Sequence, residues 1–198
     1  MTLTKSTFKV LNALRDEAVH TQRHIATATG LSLGTVNTAY RALVDAGLAE
    51  NFSVTPAGFE ALSPYKVDNA IIMAAGLSSR FAPLSYEKPK GVLTVRGEVL
   101  IERQIRQIKD AGIDSVVLVG GYMKERFAYL REKFGVTIID NPEYTCRNNH
   151  SSIYAARHLL GNSYICSSDN YFASNPFERY VYDSYYAAVF EEGETDEY

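Results

Sequence analysis

Apolar residues recur three and four positions apart through the first third of the chain. Phe8, Leu11, Leu14 and Ala18 fall on one helical face. Thr21 to Thr29 carries Ile25 and Ala26 and stops at Gly30, a residue type that ends helices. Ser32 is a good N-cap for a helix over Leu33 to Ala46, whose apolar face is Val36, Tyr40, Leu43 and Val44. Gly47 closes it. Leu48 to Val54 reads as two short strands, and Thr55-Pro56 starts a last helical turn through Phe59 and Leu62. Ser63-Pro64-Tyr65-Lys66 reads as a short linker.

From Val67 the pattern changes. Asn69 to Ala75 is a continuous apolar run, as expected of a strand buried on both faces. Val99 to Ala111 is amphipathic, with Leu100, Ile101, Ile105 and Ile108 on one side. Strands are expected at Ser115 to Gly120, Val136 to Asp140 and Ser163 to Ser168. Helices are expected at Lys124 to Phe134 and Ser151 to Leu160. Pro176 to Asp183 reads as a further helix and Tyr185 to Glu191 as a fifth strand. Strands alternating with helices predict a three-layer α/β unit with a mostly parallel sheet. Two domains follow, 1–66 and 67–198.

Composition narrows the class. The chain has 198 residues, 46% hydrophobic and 22% charged, with a net charge of -3, which excludes a wholly disordered chain. That charge also argues against coating nucleic acid by electrostatics alone. Cys146 and Cys166 are too few for a disulfide framework or a four-ligand zinc site and are read as free thiols. No apolar run approaches the roughly 20 residues needed to span a bilayer. A cytoplasmic protein with no membrane partner is expected.

The first unit, through QRHIATATGLSLGTVNTAYRALVDAGLAE and then SVTPAG, resembles a winged helix-turn-helix domain. Asn37, Thr38 and Arg41 would lie on the outer face of its third helix, where they could read base edges. Before Asp68 basic residues exceed acidic ones by only one, a weak footprint for DNA. A helical module for self-association or for docking onto the second unit is an equal alternative, since a fold does not carry a function by itself.

The chemistry concentrates after the first strand of the second unit. Ala74-Ala75-Gly76-Leu77-Ser78-Ser79-Arg80 is followed by Pro83 and by Lys88-Pro89-Lys90. Small residues let backbone N–H groups approach phosphate oxygens. Arg80 offers a planar donor fork and Lys90 a compact charge. The segment is neither a Walker loop nor a GxGxxG fingerprint.

AAGLSSRFAP followed by EKPKG resembles the AAGxGxR…P…PK pattern of nucleotidyltransferases that activate phosphorylated small molecules with a nucleoside triphosphate, with Ser78 in place of the second glycine. VVLVGGYMKERFAYL, EYTCRNNHSSIYAAR and NSYICSSDNYF extend the likeness, most closely to bacterial choline-phosphate cytidylyltransferases. The resemblance implies a Rossmann-like nucleotidyltransferase domain that transfers CMP from CTP to phosphocholine. It implies that Ala75, Gly76, Leu77, Ser78 and Ser79 line the nucleotide, and that Arg80 and Lys90 hold its phosphates. Gly121, Tyr122, Asn149 and Ser152 would surround base and ribose, and Asp169 would ligate Mg²⁺. Tyr171 and Phe172 are candidates for a choline-facing surface. Alternatives are a sugar 1-phosphate acceptor, or a DNA-binding regulator whose second unit senses a nucleotide; a homo-oligomer is left open. The family domain is normally longer than the stretch ending at EEGETDEY, so a second metal carboxylate and most of the acceptor pocket are expected beyond residue 198.

Overall fold

The computed structural model describes residues 2–188 and Gly193. Its first part contains α1 (Lys5–Ala13), α2 (Gln22–Thr29), α3 (Leu33–Asp45), the hairpin β1 (Ala49–Glu50) and β2 (Ser53–Val54), and α4 (Pro56–Leu62). Each of these helices starts at a hydroxyl N-cap: Thr4, Thr21, Ser32 and Thr55 accept from the backbone three residues on. Gly30 ends α2 in left-handed backbone. α1 is shorter than expected because the Asp16 carboxylate accepts from the Ala18 N–H at 2.9 Å, turning the chain before Ala18. Leu11, Ile25, Val36, Leu43 and Leu62, all fully buried, form the centre of the core these helices share.

The second part holds β3 (Asn69–Ala74), the hairpin β4 (Thr94–Val95) and β5 (Glu98–Val99), α5 (Leu100–Asp110), β6 (Val116–Gly120), α6 (Tyr129–Phe134), β7 (Thr137–Asp140), α7 (His150–Ala155) and β8 (Ser163–Ser167). Four strands form one parallel sheet in the order β7-β6-β3-β8. Alternation along β3 divides the core. Ala70, Ile72 and Ala74 face Ile101, Ile105 and Ile108 of α5, whereas Ile71 faces the opposite layer with Val117, Val119 and Ala156. This is the expected three-layer arrangement. β3 is central, so its carboxyl end opens onto the crevice where such sheets bind ligands.

Elsewhere the elements differ from the sequence pattern. Lys124 to Phe134 is a 3₁₀ turn (Lys124–Phe127) followed by α6, and the helix expected to Leu160 ends at Ala155 before another 3₁₀ turn. The β4-β5 hairpin, turning through Arg96 and Gly97 at positive φ, was not anticipated. Pro176 to Asp183 is not a helix. Here Phe177 and Val181 enter the sheet core while Tyr180 and Tyr182 enter the helical core. The Val67 N–H donates to the Arg179 carbonyl at 2.9 Å and the Val181 N–H to the Tyr65 carbonyl at 2.8 Å. Backbone pairing with two partners thus overrides local helical propensity. Residues 185–188 form no strand, and the rest of the expected fifth strand lies outside the described residues.

Within the expected linker, Ser63–Tyr65 is a 3₁₀ turn and Lys66 is extended, bridging to Tyr180. The Tyr65 ring stacks on Tyr182 with centroids 5.4 Å apart and lies 4.9 Å from Phe8. The Tyr182 hydroxyl donates to the Leu3 carbonyl at 3.2 Å. The strap after β8 therefore ties the two parts together.

Candidate active site

β3 delivers the chain to the crevice at Ala75, which is buried, and Gly76, which is exposed. A Cβ on Gly76 would meet no protein atom within 4 Å, so its backbone faces open space. Ser78 adopts φ 54°, ψ 32°, the left-handed region that favours glycine. The family pattern has glycine at this position, and serine accepts the same turn at some strain. Ser79 and Arg80 follow in a 3₁₀ turn. Arg80 is exposed and forms no ion pair among the described residues.

Lys90 starts a 3₁₀ turn behind Pro89 and reaches back to the sheet. Its Nζ donates to Asp169 Oδ2 at 3.2 Å and lies 4.7 Å from the Phe81 ring centroid. Gly91 makes this approach feasible, because a Cβ there would come within 3.1 Å of the Ser168 Cβ and 3.3 Å of the Phe127 ring. Asp169 stands just beyond β8 and also accepts from the Ser167 hydroxyl. Burial pushes its carboxyl up, but the bonds from Ser167 and the Lys90 ammonium outweigh it, leaving the group below the usual carboxylate range. Asp169 is therefore an anion held beside a cation at the carboxyl edge of a parallel strand.

Asn149 and Ser152 reach the same crevice from the start of α7. The buried Asn141 side chain donates to Ser151 Oγ at 2.9 Å and Ser152 Oγ at 3.1 Å, fixing that end of the helix. Ala75, Gly76, Ser78, Ser79, Arg80, Lys90, Asn149, Ser152 and Asp169 all line one open cleft of about 1090 Å³. Leu77, Gly121 and Tyr122 do not line it. Gly121 stands behind the loop: a Cβ there would lie 2.7 Å from the Tyr144 ring and 2.9 Å from the Ala75 Cβ. The Tyr122 N–H donates to the Ala75 carbonyl at 3.2 Å. These two residues thus brace the loop.

The Tyr171 ring is flanked by guanidiniums, that of Arg103 at 4.9 Å and that of Arg96 at 5.6 Å from its centroid. Phe172 packs against the sheet core. Sequence reasoning missed Phe81, Gly91, Asn141 and Tyr144. The tight Gly-Gly pair and the Lys-Gly pair were the only local hints, because the partners are distant in sequence. Both thiols are free, and burial pushes Cys166 up to about 12, so it is unreactive at neutral pH.

Asp169 is the carboxylate that stands beside Lys90 at the end of β8, and no cluster of three or more His, Cys, Asp or Glu occurs among the described residues. Mg²⁺ is commonly held by one or two carboxylates together with substrate phosphates, so the donor set of Asp169 beside the loop fits that ion.

The pattern of the MobA-like NTP transferase domain matches residues 70–187. The chain belongs to this family. A winged helix-turn-helix DNA-binding pattern matches residues 3–50 at its N-terminus. Over 129 residues the chain is 40% identical to a choline-phosphate cytidylyltransferase of Streptococcus pneumoniae, covering 65% of this chain and 56% of the relative. It is 46% identical over 104 residues to a 2-aminoethylphosphonate cytidylyltransferase of Lancefieldella rimae, covering 51% and 42%. The solved structure of the CTP:phosphocholine cytidylyltransferase of S. pneumoniae superposes with TM-score 0.56 at 42% identity, covering 58% of this chain and 50% of that one. The chain spans about half the length of the curated relatives it matches. No helix among the described residues is long and apolar enough to cross a membrane.

Outside the cleft, Thr38 and Arg41 are exposed on α3 and Asn37 is half-buried. Asn37 lines a small hollow with Thr21, Gln22, Arg23, Leu33 and Gly34.

Proposed function

We propose that the chain carries the nucleotide site of a cytidylyltransferase that transfers CMP from CTP to phosphocholine, giving CDP-choline and pyrophosphate. The observation that carries this reading is the convergence of the Gly76–Arg80 loop, Lys90 and Asp169 on one cleft, in a chain 40% identical to a choline-phosphate cytidylyltransferase. A phosphate oxygen of phosphocholine attacks the α phosphorus of CTP. The new P–O bond forms as the bond from the α phosphorus to the bridging oxygen breaks, and pyrophosphate leaves in line. A phosphomonoester is already ionised at neutral pH, so no general base is needed.

In this reading the exposed backbone at Gly76 and Ser78 lies along the triphosphate, Arg80 takes the β and γ phosphates, and Lys90 takes the α phosphate. Asp169 would hold Mg²⁺, which when bound neutralises phosphate charge and orients the leaving group. Positioning and charge neutralisation suffice, since phosphoryl transfer of this kind needs no covalent nucleophile.

The relative that acts on 2-aminoethylphosphonate makes the acceptor the open choice. Titrating CTP, UTP and ATP with Mg²⁺ while following thermal stability tests the nucleotide. Pyrophosphate release with phosphocholine, 2-aminoethylphosphonate or glucose 1-phosphate tests the acceptor. A CTP-selective shift lost in Arg80→Ala supports the reading, and indifference to every nucleotide refutes it for this chain.

The exposed Thr38 and Arg41 on α3, within the matched helix-turn-helix segment, favour a second reading in which the first part binds DNA. Binding at physiological salt that Arg41→Ala abolishes supports it. Binding only at low salt speaks for nonspecific attraction.

A further inference from the structure

We infer that Arg103 is a positioning residue for the Asp169 carboxylate, acting through the backbone of the loop that follows it. This rests on the reading of Asp169 as the cation-holding carboxylate.

Asp169 is fixed on its N-terminal side by β8 and by the bond from Ser167. On its C-terminal side no backbone–backbone bond holds residues 170–175 among the described residues. Side chains of α5 hold that stretch instead. Arg103 Nε and Nη2 both donate to the Phe172 carbonyl, at 3.1 and 3.0 Å, and Nη2 also donates to the Ala173 carbonyl at 2.9 Å. Gln107 Nε2 donates to the same Phe172 carbonyl at 3.1 Å. The guanidinium also lies 4.9 Å from the Tyr171 ring centroid, and its remaining edge is held by Glu98 at 2.5 Å. A planar fork is suited to this task, because one rigid group serves two carbonyls and a carboxylate at fixed angles. An ammonium would satisfy one of these at a time.

Arg103 does not line the cleft. Its effect on the site must therefore pass through three residues of backbone to Asp169. Groups that orient a metal ligand without touching the metal commonly change affinity or activity about 10–100-fold when removed.

The test measures Mn²⁺ binding to the full chain at saturating CTP, from the enhancement of water-proton relaxation over a Mn²⁺–CTP blank without protein, together with melting temperature and CTP-dependent turnover. The variants are Arg103→Lys and Gln107→Leu, with Arg106→Gln as control. Arg106 lies on the same helix and pairs with Glu98, but makes no bond to the loop. Gln107→Leu also removes an Oε1 acceptor that is buried without a partner among the described residues, and its melting temperature shows that the fold is retained. Arg103→Lys is expected to weaken Mn²⁺ binding about tenfold and Gln107→Leu by a smaller factor. CTP affinity in the absence of metal stays unchanged, and Arg106→Gln binds Mn²⁺ like the parent. Unchanged Mn²⁺ binding in both loop variants overturns the proposal while leaving Asp169 as the ligand. An equal loss in Arg106→Gln also overturns it, since general weakening of α5 would then be the cause. If the parent itself binds no Mn²⁺ with CTP, the reading of Asp169 fails and the positioning role falls with it.

Discussion

Lys90 Nζ and Asp169 Oδ2 lie 3.2 Å apart, joining the turn after the small-residue loop to the end of β8. Both side chains are partly shielded, with 23% and 33% of their surface exposed. The pair holds the two groups of opposite charge that a nucleotide and its cation would each engage. Asp169→Asn leaves Lys90 without its partner and is expected to cost about 1 kcal/mol, between the exposed and buried extremes for ion pairs. Urea denaturation of parent and variant checks this.

The pH dependence of that difference has a definite sign. The Asp169 carboxyl lies below its ordinary 3.8 in the folded chain. Its contribution is therefore complete above the unfolded value and is lost as pH falls through the folded one. Melting curves of parent and Asp169→Asn should be separated at neutral pH and draw together as pH falls below the ordinary carboxylate range. A gap that persists at low pH assigns the difference to packing instead.

Arg80 is exposed and without an ion pair among the described residues, so Arg80→Ala should change stability by less than about 0.5 kcal/mol. The CTP-dependent rise in melting temperature should nonetheless disappear. A parent-like shift in the variant removes Arg80 from the phosphate site.

Two glycines of the loop region should respond oppositely to the same added methyl. Gly76→Ala places a Cβ in open space, leaving stability unchanged while weakening CTP binding. Gly121→Ala forces a Cβ against Tyr144 and Ala75 and should cost about 2 kcal/mol, as overpacking does. Thermal melts with and without CTP separate the two effects.

Ser78 carries the left-handed turn without glycine. Ser78→Val, β-branched at positive φ, should destabilise by about 1–2 kcal/mol, whereas Ser78→Gly should not destabilise. Equal stability of all three proteins would show that the turn relaxes.

Tyr182 joins the helical part to the sheet part through its ring and hydroxyl. Tyr182→Ala should cost about 2 kcal/mol and split the calorimetric transition into two. A single unchanged transition would mean that the other strap contacts suffice.

Local chemistry alone decided much of this protein. Hydroxyl caps at Thr21 and Ser32, the stop at Gly30 and the spacing of Val36 and Leu43 place the helices of the first part. The unbroken apolar runs of β3 and β6 mark buried parallel strands. The small-residue turn after β3 and the cations Arg80 and Lys90 stand out in the sequence, and the structure brings them to one cleft. The rest depended on partners far apart in the chain. Pro176 to Asp183 reads as a helix in isolation, yet its alternate side chains enter two different cores, one on each side. Gly121 and Tyr122 look like ligand groups by position, but Tyr144 and the Ala75 carbonyl occupy the space around them. The salt bridge from Lys90 to Asp169 and the clamp of Arg103 on the Phe172 carbonyl span stretches of chain that no local pattern relates. Sequence periodicity reports which face of an element is buried; only tertiary packing decides what each buried or converging group meets.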